Sequence, residues 1–259
     1  EHQPKVILAG FSAYSRELDY AQFVEIAREV GAYTVADVAH IAGLIAGGVL
    51  KNPFDFGFDV MTSTTHKTLR GPRGGLILMR EKNRVAKRLD KAVFPGTQGG
   101  PHMHAVCAKA VAFGEAQAPA FREYAAQVLK NAKAMEAVFT ENEVRLLCGG
   151  TDNHLLLADV YGSLGVTGAA AEAALDRVGI TLNKNMIADD PRTAMDPSGI
   201  RFGTPAMTTR GMKEPEATKL AELMLAALTH RDDPTESECV RSEVRELCEA
   251  FPVPDSFIQ

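Results

Sequence analysis

The sequence predicts an α/β fold: a large domain with a mostly parallel sheet, followed by a smaller C-terminal α+β domain. Three observations carry this. Through residues 1–119, β-rich runs alternate with helical segments, the order that gives a parallel sheet covered on both faces. Pro119 interrupts the helical pattern and divides the chain into domains 1–119 and 120–259. Beyond it the alternation is lost, and strands and helices group in the manner of an α+β unit.

Each element has its own signal. Val6–Ala9 reads as a strand and Phe11–Ser15 as a polar turn. Asp19 is a fair N-cap for a helix through Val30, with Phe23, Ile26, Ala27 and Val30 on one face and Gly31 as its stop. A strand at Tyr33–Ala36 precedes a Gly/Ala-rich helix or turn from His40 to Val49, and residues 52–58 read as an aromatic-rich loop. Asp59–Ser63 is a strand, and Leu76–Arg80 is another, either parallel or a local antiparallel return around Gly74-Gly75. A helix spans residues 102–117 and a long amphipathic one spans 121–140.

In the second domain, strands are expected at Val144–Leu147, His154–Val160, Ile180–Leu182 and Ile200–Phe202, with a helix at Thr167–Val178. Two helices close the chain. The first opens on Glu214-Pro215, and Thr235-Glu236-Ser237-Glu238 is a capping box for the second.

Composition sets outer bounds. Apolar residues at 46% and charged residues at 24% are those of a globular protein large enough for one or two real cores. A net charge of −5 gives no electrostatic case for nucleic acid or an anionic membrane, and no apolar run is long enough to span a bilayer. The four cysteines form no CxxC pair and no metal-ligand spacing, so they read as reduced thiols of a cytoplasmic protein, and no metal is expected.

The chemistry concentrates in Met61-Thr62-Ser63-Thr64-Thr65-His66-Lys67-Thr68-Leu69-Arg70-Gly71-Pro72-Arg73-Gly74-Gly75. Here a hydroxyl-rich strand end delivers one lysine into a turn. A lysine so placed is either a solvated hairpin residue or an amine that works neutral, most commonly in Schiff-base chemistry. Tyr33–Ala36 continues into Asp37-Val38-Ala39-His40, and open α/β sheets place ligand-binding groups at such strand ends. A Schiff-base lysine with a buried aspartate suits pyridoxal phosphate, whose ring nitrogen a carboxylate keeps protonated. Phe94-Pro95-Gly96-Thr97-Gln98-Gly99-Gly100-Pro101 offers backbone amides ahead of a helix, a setting that suits phosphate. Taken singly, Asp37 reads rather as a helix cap and His40 as a core histidine, while Asn185 passes as an exposed turn residue and Arg201 as a structural partner for a buried carboxylate.

Together these segments resemble the serine hydroxymethyltransferase family, folate-dependent enzymes of the fold-type I pyridoxal-phosphate group shared with aspartate aminotransferase. Asn183-Lys184-Asn185 and Gly199-Ile200-Arg201-Phe202-Gly203-Thr204-Pro205 extend the likeness into the second domain. The resemblance implies reversible transfer of the hydroxymethyl group of serine to tetrahydrofolate, giving glycine, in a cytoplasmic homodimer or dimer of dimers. It implies that Lys67 holds pyridoxal phosphate covalently, that Asp37 pairs with the ring nitrogen, and that His40 and Ser12 lie beside the ring. Thr64 and His66 would line the site, with His66 reaching the phosphate, and Gly100 would serve the phosphate in the partner subunit. Arg73 would neighbour the lysine turn, Arg201 would hold the substrate carboxylate, and Asn185, Thr193, Ala194 and Met195 would face the folate.

The match has departures. Thr193-Ala194-Met195 stands where Ser-Pro-Phe is usual, Ala188-Asp189 where Pro-Asn is common, and His102 where an apolar residue is usual; the loop 51–58 is one residue longer than expected. The resemblance also implies a large domain that begins before Lys5, so that these residues are the later three-fifths of the enzyme and turn over little alone. Two other readings stand beside it: another fold-type I enzyme such as a threonine aldolase or aminotransferase, and a non-catalytic fragment.

Overall fold

The structure, a computed structural model, describes residues 1–80 and 85–254. Its contacts divide the chain into two units: residues 1–12 with 17–125, and residues 13–16 with 126–259.

The first unit is built on a four-stranded sheet in the order β1-β2-β3-β4, with β1 at Val6–Ala9, β2 at Tyr33–Asp37, β3 at Val60–Thr64 and β4 at Gly75–Met79. β1–β2 and β2–β3 are parallel, and β4 returns antiparallel to β3, so the Gly74-Gly75 turn closes a local return. Helix α1, Tyr20–Val30, starts where Asp19 accepts from the Gln22 N–H and stops at Gly31, whose φ of 65° suits glycine. α2 is Ala42–Ala46. The expected aromatic loop contains a short helix, α3 (Pro53–Phe56), because Asn52 caps it and Pro53 presets its first turn. α4 (Ala86–Lys91) and α5 (Met103–Ala116) follow.

The core of this unit joins Ala9, Tyr20, Val24, Ala36, Val38, Phe58, Met61 and Leu69. Side chains alternate between the faces of a strand, so Ala36 and Met61 point one way and Asp37, Thr62 and Thr64 the other. The second face also carries Val6, Leu8 and Ile77, which are 51%, 59% and 42% exposed. The expectation of helices on both faces is therefore corrected: among the described residues the core lies on one.

α6 runs without a break from Pro119 to Glu141, and the division between units falls within it, after Ala125. The second unit holds a three-stranded antiparallel sheet, β5-β7-β6, with β5 at Leu155–Asp159, β6 at Asn183–Asn185 and β7 at Gly199–Gly203. Helices α7 (Val160–Leu164), α8 (Gly168–Arg177), α9 (Pro205–Thr209), α10 (Glu214–Thr229) and α11 (Pro234–Ala250) complete it. Phe139, Leu156, Leu175, Ile200, Met224 and Leu228 are among the residues filling its core.

Three local expectations are corrected. Val144–Leu147 makes only a single bridge, Leu146 to Ala158, before a tight turn in which Cys148 takes a φ of 58°. Ile180 and Leu182 are buried in the core, and the ladder to β7 is made instead by Asn183–Asn185. The last helix starts at Pro234, one residue before Thr235, and its cap is Asp233, which accepts from the N–H groups of Thr235 and Glu236.

Candidate active site

Three parts of the expected site come from the C-terminal ends of neighbouring strands in the first unit. β1 and β2 run in register through Ala9 and Ala36, and β2 and β3 through Asp37 and Thr62. The segments that leave these ends are 10–12, 38–40 and 65–67. They meet the edge where open sheets bind ligands. Gly10 enforces the closeness: with φ at 143°, an added Cβ would lie 2.1 Å from the Asp37 carbonyl oxygen.

Asp37 was expected to be buried and is exposed, because it ends β2 on the face that the core does not cover. Its Oδ1 accepts from the Ala39 N–H at 3.0 Å. It is no helix cap, since α2 begins after Ile41 without a side-chain cap. His40, Lys67 and His66 are half-buried, and Ser12 is exposed.

The lysine turn is tied largely by its own backbone and hydroxyls. Thr65, fully buried, donates its N–H to the Gly74 carbonyl and its hydroxyl to the Pro72 carbonyl at 2.6 Å, and its own carbonyl accepts from the Gly71 N–H. The Arg70 N–H donates to the Lys67 carbonyl at 2.9 Å, and the Arg70 guanidinium lies 4.5 Å over the Tyr124 ring. His66 Nδ1 accepts from the Gly74 N–H at 3.4 Å, and Arg73 Nη1 lies 3.5 Å from His66 Nε2. Thr64 Oγ1 is sealed from solvent with no hydrogen-bond partner among the described residues. A buried hydroxyl without a partner is costly unless a ligand supplies one. That orphaned atom, the lysine turn and the strand-end carboxylate fit pyridoxal phosphate.

Sequence reasoning missed Thr68, whose hydroxyl donates to the His40 carbonyl and accepts from the Gly43 N–H. The signal was present in the hydroxyl-rich run, of whose hydroxyl residues only Thr64 was singled out. An apolar pocket of about 960 Å³, lined in part by Val38, Met61, Ser63, Leu78 and Phe113, opens on the opposite face from Asp37 and Thr64.

Gly100 precedes α5, exposed and with φ at 56°, and an added Cβ there would meet nothing. The remaining expected residues belong to the second unit. Arg201 on β7 pairs in register with Asn183 on β6 and donates to its side-chain oxygen at 3.3 Å. Asn185, opposite Gly199, is a strand residue whose amide donates to the Met186 carbonyl at 2.7 Å. Thr193, Ala194 and Met195 lie exposed on the loop between β6 and β7.

A family model described as serine hydroxymethyltransferase matches residues 1–224. The chain belongs to the serine hydroxymethyltransferase family. It is similar to proteins named serine hydroxymethyltransferase from Legionella pneumophila (53% identity) and Halorhodospira halophila (52%), each match covering 98% of this chain. It is likewise 53% identical, over the same share, to serine hydroxymethyltransferase 1 of Pseudomonas aeruginosa. The chain spans about 60% of the length of these curated relatives. Membership in the serine hydroxymethyltransferase family carries the fold-type I pyridoxal-phosphate architecture, with which the mixed α/β sheet agrees. Among the described residues, no helix is long and apolar enough to cross a membrane.

Proposed function

We propose that this chain contributes the lysine, the ring-pairing carboxylate and the carboxylate-binding arginine of a serine hydroxymethyltransferase. The observation that carries the reading is the lysine turn, presented at the strand-end edge with an orphaned, sealed hydroxyl at Thr64. The whole protein would transfer the hydroxymethyl group of serine reversibly to tetrahydrofolate, as a cytoplasmic homodimer or dimer of dimers. The 259 residues alone would turn over little.

When bound, pyridoxal phosphate supplies a ring that accepts electrons from the substrate's α-carbon. The work of the chain is to hold and orient. Lys67 would hold the cofactor covalently through its amine. Asp37 keeps a proton on the ring nitrogen. His40 and Ser12 border the ring, while His66 and the Gly100 backbone, the latter across the dimer, serve the phosphate. Arg73 lends charge to the lysine turn, and Thr64 gives its hydroxyl to the site. Arg201 holds the substrate carboxylate, for which a planar two-pronged donor is well matched. Fixing that carboxylate would limit the orientations open to the substrate in the site. Asn185, Thr193, Ala194 and Met195 face the folate.

The test is the visible absorbance of the chain with added pyridoxal phosphate, before and after borohydride. The native chain should show a cofactor band that borohydride fixes covalently, and Lys67→Ala should show none. A band surviving in Lys67→Ala overturns the anchor. Product formation by the whole protein that does not depend on tetrahydrofolate would favour an aldolase instead.

A further inference from the structure

The loop between β6 and β7 is organised by one carboxylate. Asp190 Oδ1 accepts from the Arg192 N–H at 2.9 Å and from the Ser198 hydroxyl at 2.7 Å. Its Oδ2 accepts from the N–H groups of Ile187 at 3.1 Å and Ser198 at 3.0 Å. One side chain thus ties Ile187, two residues past β6, to Ser198, which immediately precedes β7. Arg192 adds a second brace: its Nε donates to the Asp196 carbonyl at 2.9 Å, it pairs with the Asp196 carboxylate, and it lies 4.7 Å over the Tyr161 ring.

Near β7 the loop is also tied to its surroundings, the Gly168 N–H donating to the Pro197 carbonyl at 2.7 Å, the Tyr161 N–H to the Ser198 carbonyl at 3.0 Å and the Ala169 N–H to Asp196 Oδ1 at 3.3 Å. The stretch between β6 and Asp196 relies instead on Asp190 and Arg192. Thr193, Ala194 and Met195 are exposed, Met195 by 78%, so few apolar contacts oppose the entropy of a free surface loop. Hydrogen bonds to an ionised acceptor are the stronger kind, and four of them converge on this one group. Burial pushes the Asp190 carboxyl up, but the bonds from Ser198, Arg192 and Ile187 outweigh it and hold it at about 2, so it is ionised at neutral pH.

We propose that Asp190 is a positioning residue: it fixes the β6–β7 loop in one shape and thereby sets the surface that Asn185, Thr193, Ala194 and Met195 present to the folate co-substrate. This rests on the folate-facing reading of that loop. Asp190 touches no substrate in this account and acts through its neighbours. Its amide replacement keeps the size but turns an NH₂ donor toward N–H donors, which unties one side of the cage.

The experiment uses the whole protein loaded with pyridoxal phosphate, titrated with tetrahydrofolate and separately with serine. Asp190→Asn should weaken tetrahydrofolate binding about tenfold, the scale of bonds to a charged group, while serine binding changes less than about twofold. Ser198→Ala, a milder change, should weaken tetrahydrofolate binding about threefold. The amides of Ile187 and Arg192 should lose hydrogen-exchange protection in Asp190→Asn. Unchanged tetrahydrofolate affinity in Asp190→Asn, with Asn185→Ala weakening it, overturns the positioning role. Equal weakening toward serine and tetrahydrofolate also overturns it, since that is the mark of a general structural defect. Unchanged affinity in both Asn185→Ala and Met195→Ala is a separate result, which sinks the folate-facing reading itself.

Discussion

The Thr68 hydroxyl donates to the His40 carbonyl at 2.8 Å and accepts from the Gly43 N–H at 3.0 Å. One buried side chain therefore joins the turn after Lys67 to the segment after Asp37. Thr68→Val removes both bonds and leaves a buried N–H unpaired. The expected loss is about 1–3 kcal/mol, read by urea unfolding, with Thr68→Ser close to wild type. A Thr68→Val variant as stable as the native chain would show that the bridge contributes nothing.

Gly43 lies on the other side of the same contact. A Cβ there would sit 2.0 Å from the Thr68 carbonyl oxygen and 2.8 Å from the Leu69 nitrogen, all of it backbone. Gly43→Ala should destabilise by about 3 kcal/mol or more, since neither segment can yield without moving the lysine turn. Gly114 in α5 is exposed, with open space where a Cβ would go. There Gly114→Ala should stabilise by about 0.5–1 kcal/mol through helix propensity alone. Thermal melts of the two variants should move in opposite directions.

The start of α11 separates two capping residues. Asp233→Ala should cost about 0.5–2 kcal/mol, because its carboxylate satisfies two orphan N–H groups, whereas Thr235→Ala should stay within about 0.5 kcal/mol. Equal losses in urea denaturation would restore the cap to Thr235.

Tyr20 is packed beside Phe56 and Phe58. Burial, reinforced by Glu17, pushes its phenol up to about 12. The folded state holds that proton after the unfolded chain has released it, so stability falls as pH rises from about 10 toward 12. Ultraviolet phenolate titration should show one late tyrosine that disappears in Tyr20→Phe, and the alkaline loss of stability should shrink with it.

The sign is opposite at Asp190. Its carboxyl stands at about 2, below the ordinary carboxylate range, so its contribution is present above an ordinary aspartate pKa of about 3.9 and fades as pH falls toward 2. Loop amide protection in the native protein should exceed that of Asp190→Asn at pH 6. The two should converge on acidification.

Much of this was legible because local rules agreed with tertiary packing. Asp19 and Gly31 bound α1 by cap chemistry, and Asp37 ends β2 and Lys67 follows the end of β3, as the strand pattern predicts. Where the reading failed, burial had been mistaken for strand pairing. Ile180 and Leu182 are apolar because they fill the core, yet the polar Asn183–Asn185 makes the ladder as an edge strand, where only part of the backbone is paired. Thr235 has the letters of a capping box, but Asp233 reaches the free amides first. Asp37 was taken as buried since nothing in a sequence states which face of a sheet is covered. The cage around Asp190 depends on loop geometry, which composition does not encode.

The antiparallel return of β4 has a kinetic consequence. Thr64 pairs with Gly75 across the short loop that contains Lys67. Its ends can therefore find each other quickly, on the order of 10–100 ns for loops of about ten residues. The lysine's turn depends on neighbours close in sequence, while the strand bearing Asp37 must wait for longer parallel crossovers to close. Lys67 thus stands in the part of the sheet that can assemble first.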